Sequence, residues 1–295
     1  MSLDVPSGRP PVGAEFILTL RCPDRPGLVH AVTGFLLDRG GNILASAQYG
    51  AAETGRFFMR IQFTLPDQDA RADRLSSEFA QVGDRFGMIW DLYSANTPYR
   101  TLVMVSRFGH CLNDLLFRWS TGTLHIEIPA IVSNHRDFER LAASYDIPFH
   151  HIPVTTETKA EAEGRLLQLV DDLGIHLVVL ARYMQVLSDE TCRTLSGRAI
   201  NIHHSFLPSF KGARPYQQAH QRGVKLIGAT AHYVTSDLDE GPIIDQDVTR
   251  VDHTMTPEQL AAAGREVESR VLAQAVRWHA ERRVLPNGTR TVVFR

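Results

Sequence analysis

Ala199-Ile200-Asn201-Ile202-His203-His204-Ser205-Phe206-Leu207-Pro208 reads as a short strand that runs out into polar groups. Alternate side chains of a strand share a face, so Asn201 and His203 point into one space while Ile200 and Ile202 pack into the layer behind. Around this stretch, apolar strands at residues 101–106, 125–132, 176–180, 198–203 and 226–234 alternate with helical patterns at 137–145, 158–173 and 216–222. That alternation predicts an α/β domain with a doubly wound, mostly parallel sheet of Rossmann type. Its ligand site lies beyond the carboxyl ends of the strands, where His203 stands. Thr256-Pro257-Glu258-Gln259 has capping-box spacing with proline at the first helical position, and the helix it opens is expected to run to residue 282.

The amino-terminal part has a different rhythm. Residues 15–21 are strand formers, and residues 27–39 carry Leu28, Val29, Val32, Leu36 and Leu37 at helical spacing. After Gly40-Gly41, residues 42–49 and 56–65 read as strands, 68–86 as a helix and 88–93 as a strand. This βαββαβ order predicts a ferredoxin-like sandwich. Composition turns polar at residues 95–98 before Leu102-Val103-Met104-Val105 begins afresh, so the expected domains are 1–97 and 98–295.

With 295 residues the chain is long enough for two cores. A net charge of -2 and a pI of about 6.7 give no basic field, so a small-molecule ligand is expected rather than nucleic acid or membrane. No apolar stretch approaches the roughly 20 residues that cross a bilayer, and residues 1–13 lack the pattern of a secretory signal; a cytoplasmic location is expected. Cys22, Cys111 and Cys192 are scattered, which suits reduced, buried thiols. The 13 histidines show no HExxH-like spacing, so neither a catalytic metal nor a tightly bound cofactor is expected.

The polar residues of the opening stretch suit acyl chemistry. An amide N–H donates to a carbonyl oxygen, an imidazole shuttles a proton, and a carboxylate from a later loop orients either the imidazole or a water. His232 and Asp239-Glu240-Gly241-Pro242 supply the later groups. Strand alternation turns His204 away from His203, so a supporting role is expected for it, and Gly241-Pro242 reads as turn punctuation.

Asn201-x-His203-His204-Ser205-Phe206-Leu207-Pro208, followed by His232-Tyr233-Val234-Thr235 and Leu238-Asp239-x-Gly241-Pro242, resembles the signature of folate-dependent formyl-transfer enzymes. The likeness is strongest over residues 177–246. It implies a catalytic trio of Asn201, His203 and Asp239. Ala181-Arg182-Tyr183-Met184-Gln185-Val186-Leu187 resembles the pterin-binding segment, so Met184, Gln185, Val186 and Leu187, with His232 and Thr235, are the implied substrate-binding residues. Lys211, Arg214 and Lys225 are candidates for the folate tail. Transferases acting on a phosphorylated ribosyl amine carry a glycine- and serine-rich phosphate loop after the first strand of this domain. Here that loop, residues 106–114, has one glycine and the bulky Phe108. With His204 in place, the stretch is similar to that of the formyltetrahydrofolate deformylases, in which water replaces the amine. The implied activity is hydrolysis of 10-formyltetrahydrofolate to formate and tetrahydrofolate, supplying formate for purine synthesis and balancing one-carbon folate pools. Two alternatives stay open: formyl transfer to an amine acceptor, and a folate sensor without turnover.

Cys22-Pro23-Asp24-Arg25-Pro26-Gly27-Leu28-Val29, followed by Gly41-Asn42-Ile43, resembles an ACT domain. The resemblance implies an amino-acid effector, glycine or methionine, at Asp24, Gly27, Leu28, Asn42 and Ile43, and a homo-oligomer built through this domain. Free N–H groups at a helix start suit a carboxylate. The same stretch reads equally as a plain helix start.

Overall fold

The computed structural model describes residues 13–66, 70–207 and 215–295; Pro208, Lys211, Arg214 and the predicted start of the second helix at residue 68 lie outside them. The chain divides into two units between Thr97 and Pro98.

In the first unit, β1 (Ala14–Pro23), α1 (Leu28–Leu37), β2 (Asn42–Ala51), β3 (Arg56–Leu65), α2 (Ala72–Phe86) and β4 (Ile89–Ser94) follow the expected βαββαβ order. The sheet is antiparallel, in the order β2-β3-β1-β4. Period-two alternation sends Phe16, Leu18 and Leu20 of β1 to one face, where Val32 and Phe35 of α1 and Phe79 of α2 pack against them. Phe79 meets the rings of Phe35 and Trp90 edge-on at 5.1 and 4.9 Å. Each such buried side chain contributes roughly 1.5–3 kcal/mol.

The second unit opens with β5 (Tyr99–Val105), α3 (His110–Ser120), β6 (Ile126–Ser133), α4 (Glu139–Ala143), β7 (Phe149–His151), α5 (Lys159–Asp172), β8 (Leu177–Leu180), α6 (Asp189–Thr194) and β9 (Ala199–His203). Then come α7 (Pro215–Arg222), β10 (Leu226–Tyr233), β11 (Ile243–Arg250) and α8 (Pro257–Ala280). The sheet order is β11-β10-β9-β8-β5-β6-β7. Strands β5 to β9 pair in parallel, while β10 and β11 are antiparallel additions at one edge. Strand order reverses at β5, so the crevice beside β8 and β9 is where such a sheet binds ligands. Among the described residues no helix is long and apolar enough to cross a membrane.

The tail departs from the expected 98–295 domain. A final hairpin, β12 (Val284–Asn287) and β13 (Arg290–Val293), is shared: Glu281–Leu285 and Val292–Arg295 group with the first unit. Leu285 and Phe294 are buried with Ala51 and Phe58, which point from β2 and β3 to the face that the helices leave uncovered. Pairing within the sheet thus leaves Phe58 an apolar face to fill, and the tail fills it.

Candidate active site

β10 runs antiparallel to β9 and sets His232 directly across from Asn201. That register brings Asn201 Nδ2 to 3.3 Å from His232 Nε2. His232 Nδ1 lies 2.8 Å from the Tyr233 carbonyl oxygen, which can only accept, so a neutral ring carries its proton on Nδ1 and offers Nε2 to the Asn201 amide. One amide N–H is spent there, and the other is left for a carbonyl oxygen in the cleft.

Asp239 comes from the loop between β10 and β11. Its Oδ1 is 3.2 Å from His203 Nδ1 and 3.7 Å from His232 Nε2. The hydrogen bond from His203 above all holds its carboxyl well below the usual carboxylate range, against the opposing pull of burial. With Nδ1 engaged by Asp239, His203 Nε2 is buried and has no hydrogen-bond partner among the described residues. Asp239 has φ 60°, a left-handed conformation that aspartate tolerates better than most side chains. The loop closes tightly: a Cβ on Gly241 would sit 1.7 Å from the Tyr233 carbonyl oxygen, so Gly241 is required by close approach rather than by turn geometry alone. On the other side, the buried Thr230 hydroxyl donates to Ser205 O at 2.9 Å and accepts from Leu207 N at 3.1 Å and from Gln246 Nε2 at 2.9 Å. One side chain thereby ties the turn after His203 to two neighbouring strands.

Asn201, His203, His232 and Asp239 line a cleft of about 260 Å³ together with Met184, Gln185, Val186, Leu187 and Thr235. Met184 and Val186 keep 54% and 57% of their surface exposed, as a flat apolar ring laid on them requires. The Met184 N–H is already bonded to Ser106 Oγ at 3.0 Å, so it holds the segment in place rather than meeting a ligand.

Two expectations need correction. His204 does not turn away from the site: β9 ends at His203, alternation ends with it, and His204 lines the same cleft with its ring centroid 4.9 Å from that of His203. Burial, followed by the nearby Arg182 charge, pushes the His204 pKa down to about 4, so the ring is neutral at pH 7. The loop after β5 is shorter than residues 106–114, because α3 starts at His110; a Cβ on Gly109 would meet the Phe138 ring at 2.2 Å, so this glycine serves packing. The five effector candidates, which the resemblance implies for a site between subunits, lie in two groups within one chain. Asp24 follows Pro23, which pairs with Arg56 at one end of β3, whereas Asn42 and Ile43 pair with Thr64 and Phe63 at the other. Eight residues of strand separate those ends by about 26 Å. Gly27, with φ 93°, precedes α1 on the Asp24 side, and Leu28 is buried in the core.

Sequence reading missed a second polar cluster beside the cleft. Glu268 of α8, 1% exposed, accepts from His110 Nε2 at 2.8 Å and Tyr216 OH at 2.6 Å, and lies 3.4 Å from Arg182 Nη1. Its signal was present: Leu260, Gly264, Val267 and Val271 mark the buried stripe of α8, and Glu268 falls on it. His110, Cys111 and Glu268 place their ligating atoms within 4.8 Å of one another. The carboxylate is already balanced by the Arg182 guanidinium, and burial pushes the Cys111 thiol far up, so this donor set suits an ion pair better than a metal.

The fold and the site together define a formyl-transferase-type catalytic domain joined to an ACT domain: family models for "Formyl transferase" and "ACT domain" match residues 99–276 and 16–78. A formyltetrahydrofolate deformylase of Corynebacterium sp. (strain P-1) is 54% identical over 95% of this chain and 98% of its own. The crystal structure of a formyltetrahydrofolate deformylase from Burkholderia mallei superposes with a TM-score of 0.91 at 52% identity, over 96% of this chain and all (100%) of that one. A phosphoribosylglycinamide formyltransferase from Coxiella burnetii reaches a TM-score of 0.61 at 30% identity, over 67% of this chain and 94% of its own. This chain belongs to the formyltetrahydrofolate deformylase family.

Proposed function

We propose that this protein hydrolyses 10-formyltetrahydrofolate to formate and tetrahydrofolate. The reading rests on one observation above all: His203 lines the cleft with a buried Nε2 that has no hydrogen-bond partner among the described residues, while Asp239 holds its Nδ1. The pterin lies against Met184, Gln185, Val186 and Leu187, flanked by Thr235 and His232, and the formyl group reaches Asn201. Water attacks the formyl carbon, and His203 Nε2 takes a proton from it. The free Asn201 N–H donates to the oxyanion as it develops, and Asp239 stabilises the imidazolium. His203 then returns the proton to N10 as the C–N bond breaks. Every step uses side chains of this chain and water, with no tightly bound cofactor.

Incubation with 10-formyltetrahydrofolate and no amine should release formate and tetrahydrofolate in equal amounts. Turnover only after an amine is added would establish transfer instead, and tight folate binding without turnover would establish a sensor.

The physiological reading that follows is a cytoplasmic enzyme supplying formate for purine synthesis and balancing one-carbon folate pools. The first unit serves as its regulator, with glycine or methionine as effector. Because the two groups of effector candidates lie at opposite ends of the sheet, an effector touching both needs a second copy of the chain. A homo-oligomer through the first unit supplies it.

A further inference from the structure

Arg182 is not used by the hydrolysis just described, yet the chain holds it at a cost. It is 8% exposed, and its φ of 63° is left-handed in a residue with a full side chain. Leu180 pairs with Asn201 where β8 ends, and Arg182, two residues beyond that end, lines the same cleft as His203. Glu268 balances its charge through Nη1 at 3.4 Å, and the Phe108 ring lies 5.5 Å from its Cζ. Its Nε is buried and has no acceptor among the described residues. A buried guanidinium whose Nε–H lacks an acceptor calls for an anionic oxygen from outside the protein.

The reaction makes such a group. Water's oxygen bonds to the formyl carbon, the C–N10 bond breaks with a proton going to N10, and the acid released ionises above about pH 4. A neutral amide thus becomes a carboxylate beside the Asp239 anion, which repels it. We infer that Arg182 binds the product formate, drawing it off the Asn201, His203 and Asp239 centre through its Nε edge. The inference rests on the hydrolytic reading. A folate-tail carboxylate has the same chemistry, and the test separates the two sources.

Steady-state hydrolysis is measured with added sodium formate, against sodium chloride at equal ionic strength. Formate should inhibit the wild-type enzyme in the millimolar range. Replacing the buried pair together, Arg182→Gln with Glu268→Gln, avoids leaving a lone buried charge; it should raise the formate inhibition constant about tenfold, the worth of a charged hydrogen bond, and shift the KM for 10-formyltetrahydrofolate by less than about twofold. Glu268→Gln alone should lower the inhibition constant, because the guanidinium is then uncompensated. If the double variant does not fold, Arg182→Lys decides: a point charge replaces the fork, and the constant should rise severalfold. Wild-type enzyme no more sensitive to formate than to chloride overturns the inference, as does an unchanged constant in a folded Arg182 variant. A raised KM with that constant unchanged overturns it in favour of the folate tail. Failure of the hydrolytic reading is seen separately, as no formate released in the uninhibited assay.

Discussion

Asp239 holds the His203 imidazole through Oδ1 and does so from a left-handed backbone, so its substitutions separate charge from conformation. Asn at this position keeps tolerance for the left-handed region and removes only the charge. Asp239→Asn should lower kcat on the order of 10²- to 10³-fold, the usual scale for losing one polar partner of a transition state, with a much smaller change in KM. Its stability follows the same charge. The carboxyl is depressed in the folded state, so its contribution is complete above the unfolded value of about 3.9 and is lost as pH falls toward the folded one. The difference in Tm between wild type and Asp239→Asn should therefore be widest near neutrality and shrink below about pH 4. A difference that grows in acid contradicts the pairing. Asn201 and His203 were legible in the sequence because a two-residue spacing on a strand fixes a shared face. His204 was not, because the end of a strand is set by hydrogen bonds that a residue pattern does not encode.

At the scale of elements, the Asp239 carboxylate is placed by a loop that has no slack. Gly241 touches the Tyr233 carbonyl, and Tyr233 N bonds Pro242 O at 2.9 Å, so the loop is fastened to β10 just beyond His232. Gly241→Ala should push the loop off β10, carry Asp239 away from His203 and cut kcat at least tenfold while the protein still folds; one lost charged hydrogen bond accounts for that factor. Near wild-type kcat in the folded variant would show that the loop yields without moving Asp239. Strong apolar runs made the central strands readable: β3 falls on residues 56–65 as expected, and β8 and β9 within a residue of expectation. The elements missed are those with weak signals. α3 begins with Gly-His-Cys after a polar loop, β7 has three residues, and β11 is an exposed edge strand with few apolar positions. The tail hairpin escaped because its apolar residues answer Phe58 in the first unit, a long-range partner that local periodicity does not carry.

For the whole molecule the deciding feature is β2. It is a ten-residue strand at the edge of the first sheet, nearly all exposed, with Leu44 and Tyr49 at 47% and 50% exposure. Such an edge presents unpaired backbone groups and invites another strand. Pairing two copies through β2 covers these groups and gives an amino acid access to residues of both chains, which one chain alone cannot offer across about 26 Å. Leu44→Lys places a charge on that edge without touching the core of the sheet, since Leu44 is not part of the cluster around Phe16 and Phe79. In analytical ultracentrifugation the wild-type protein should sediment as a multiple of 33.0 kDa and the variant as a smaller species. Glycine or methionine should alter formate release by the wild type and not by the variant. If the variant retains both its mass and its response, the oligomer is built elsewhere, and Asn42 and Ile43 belong to no effector site.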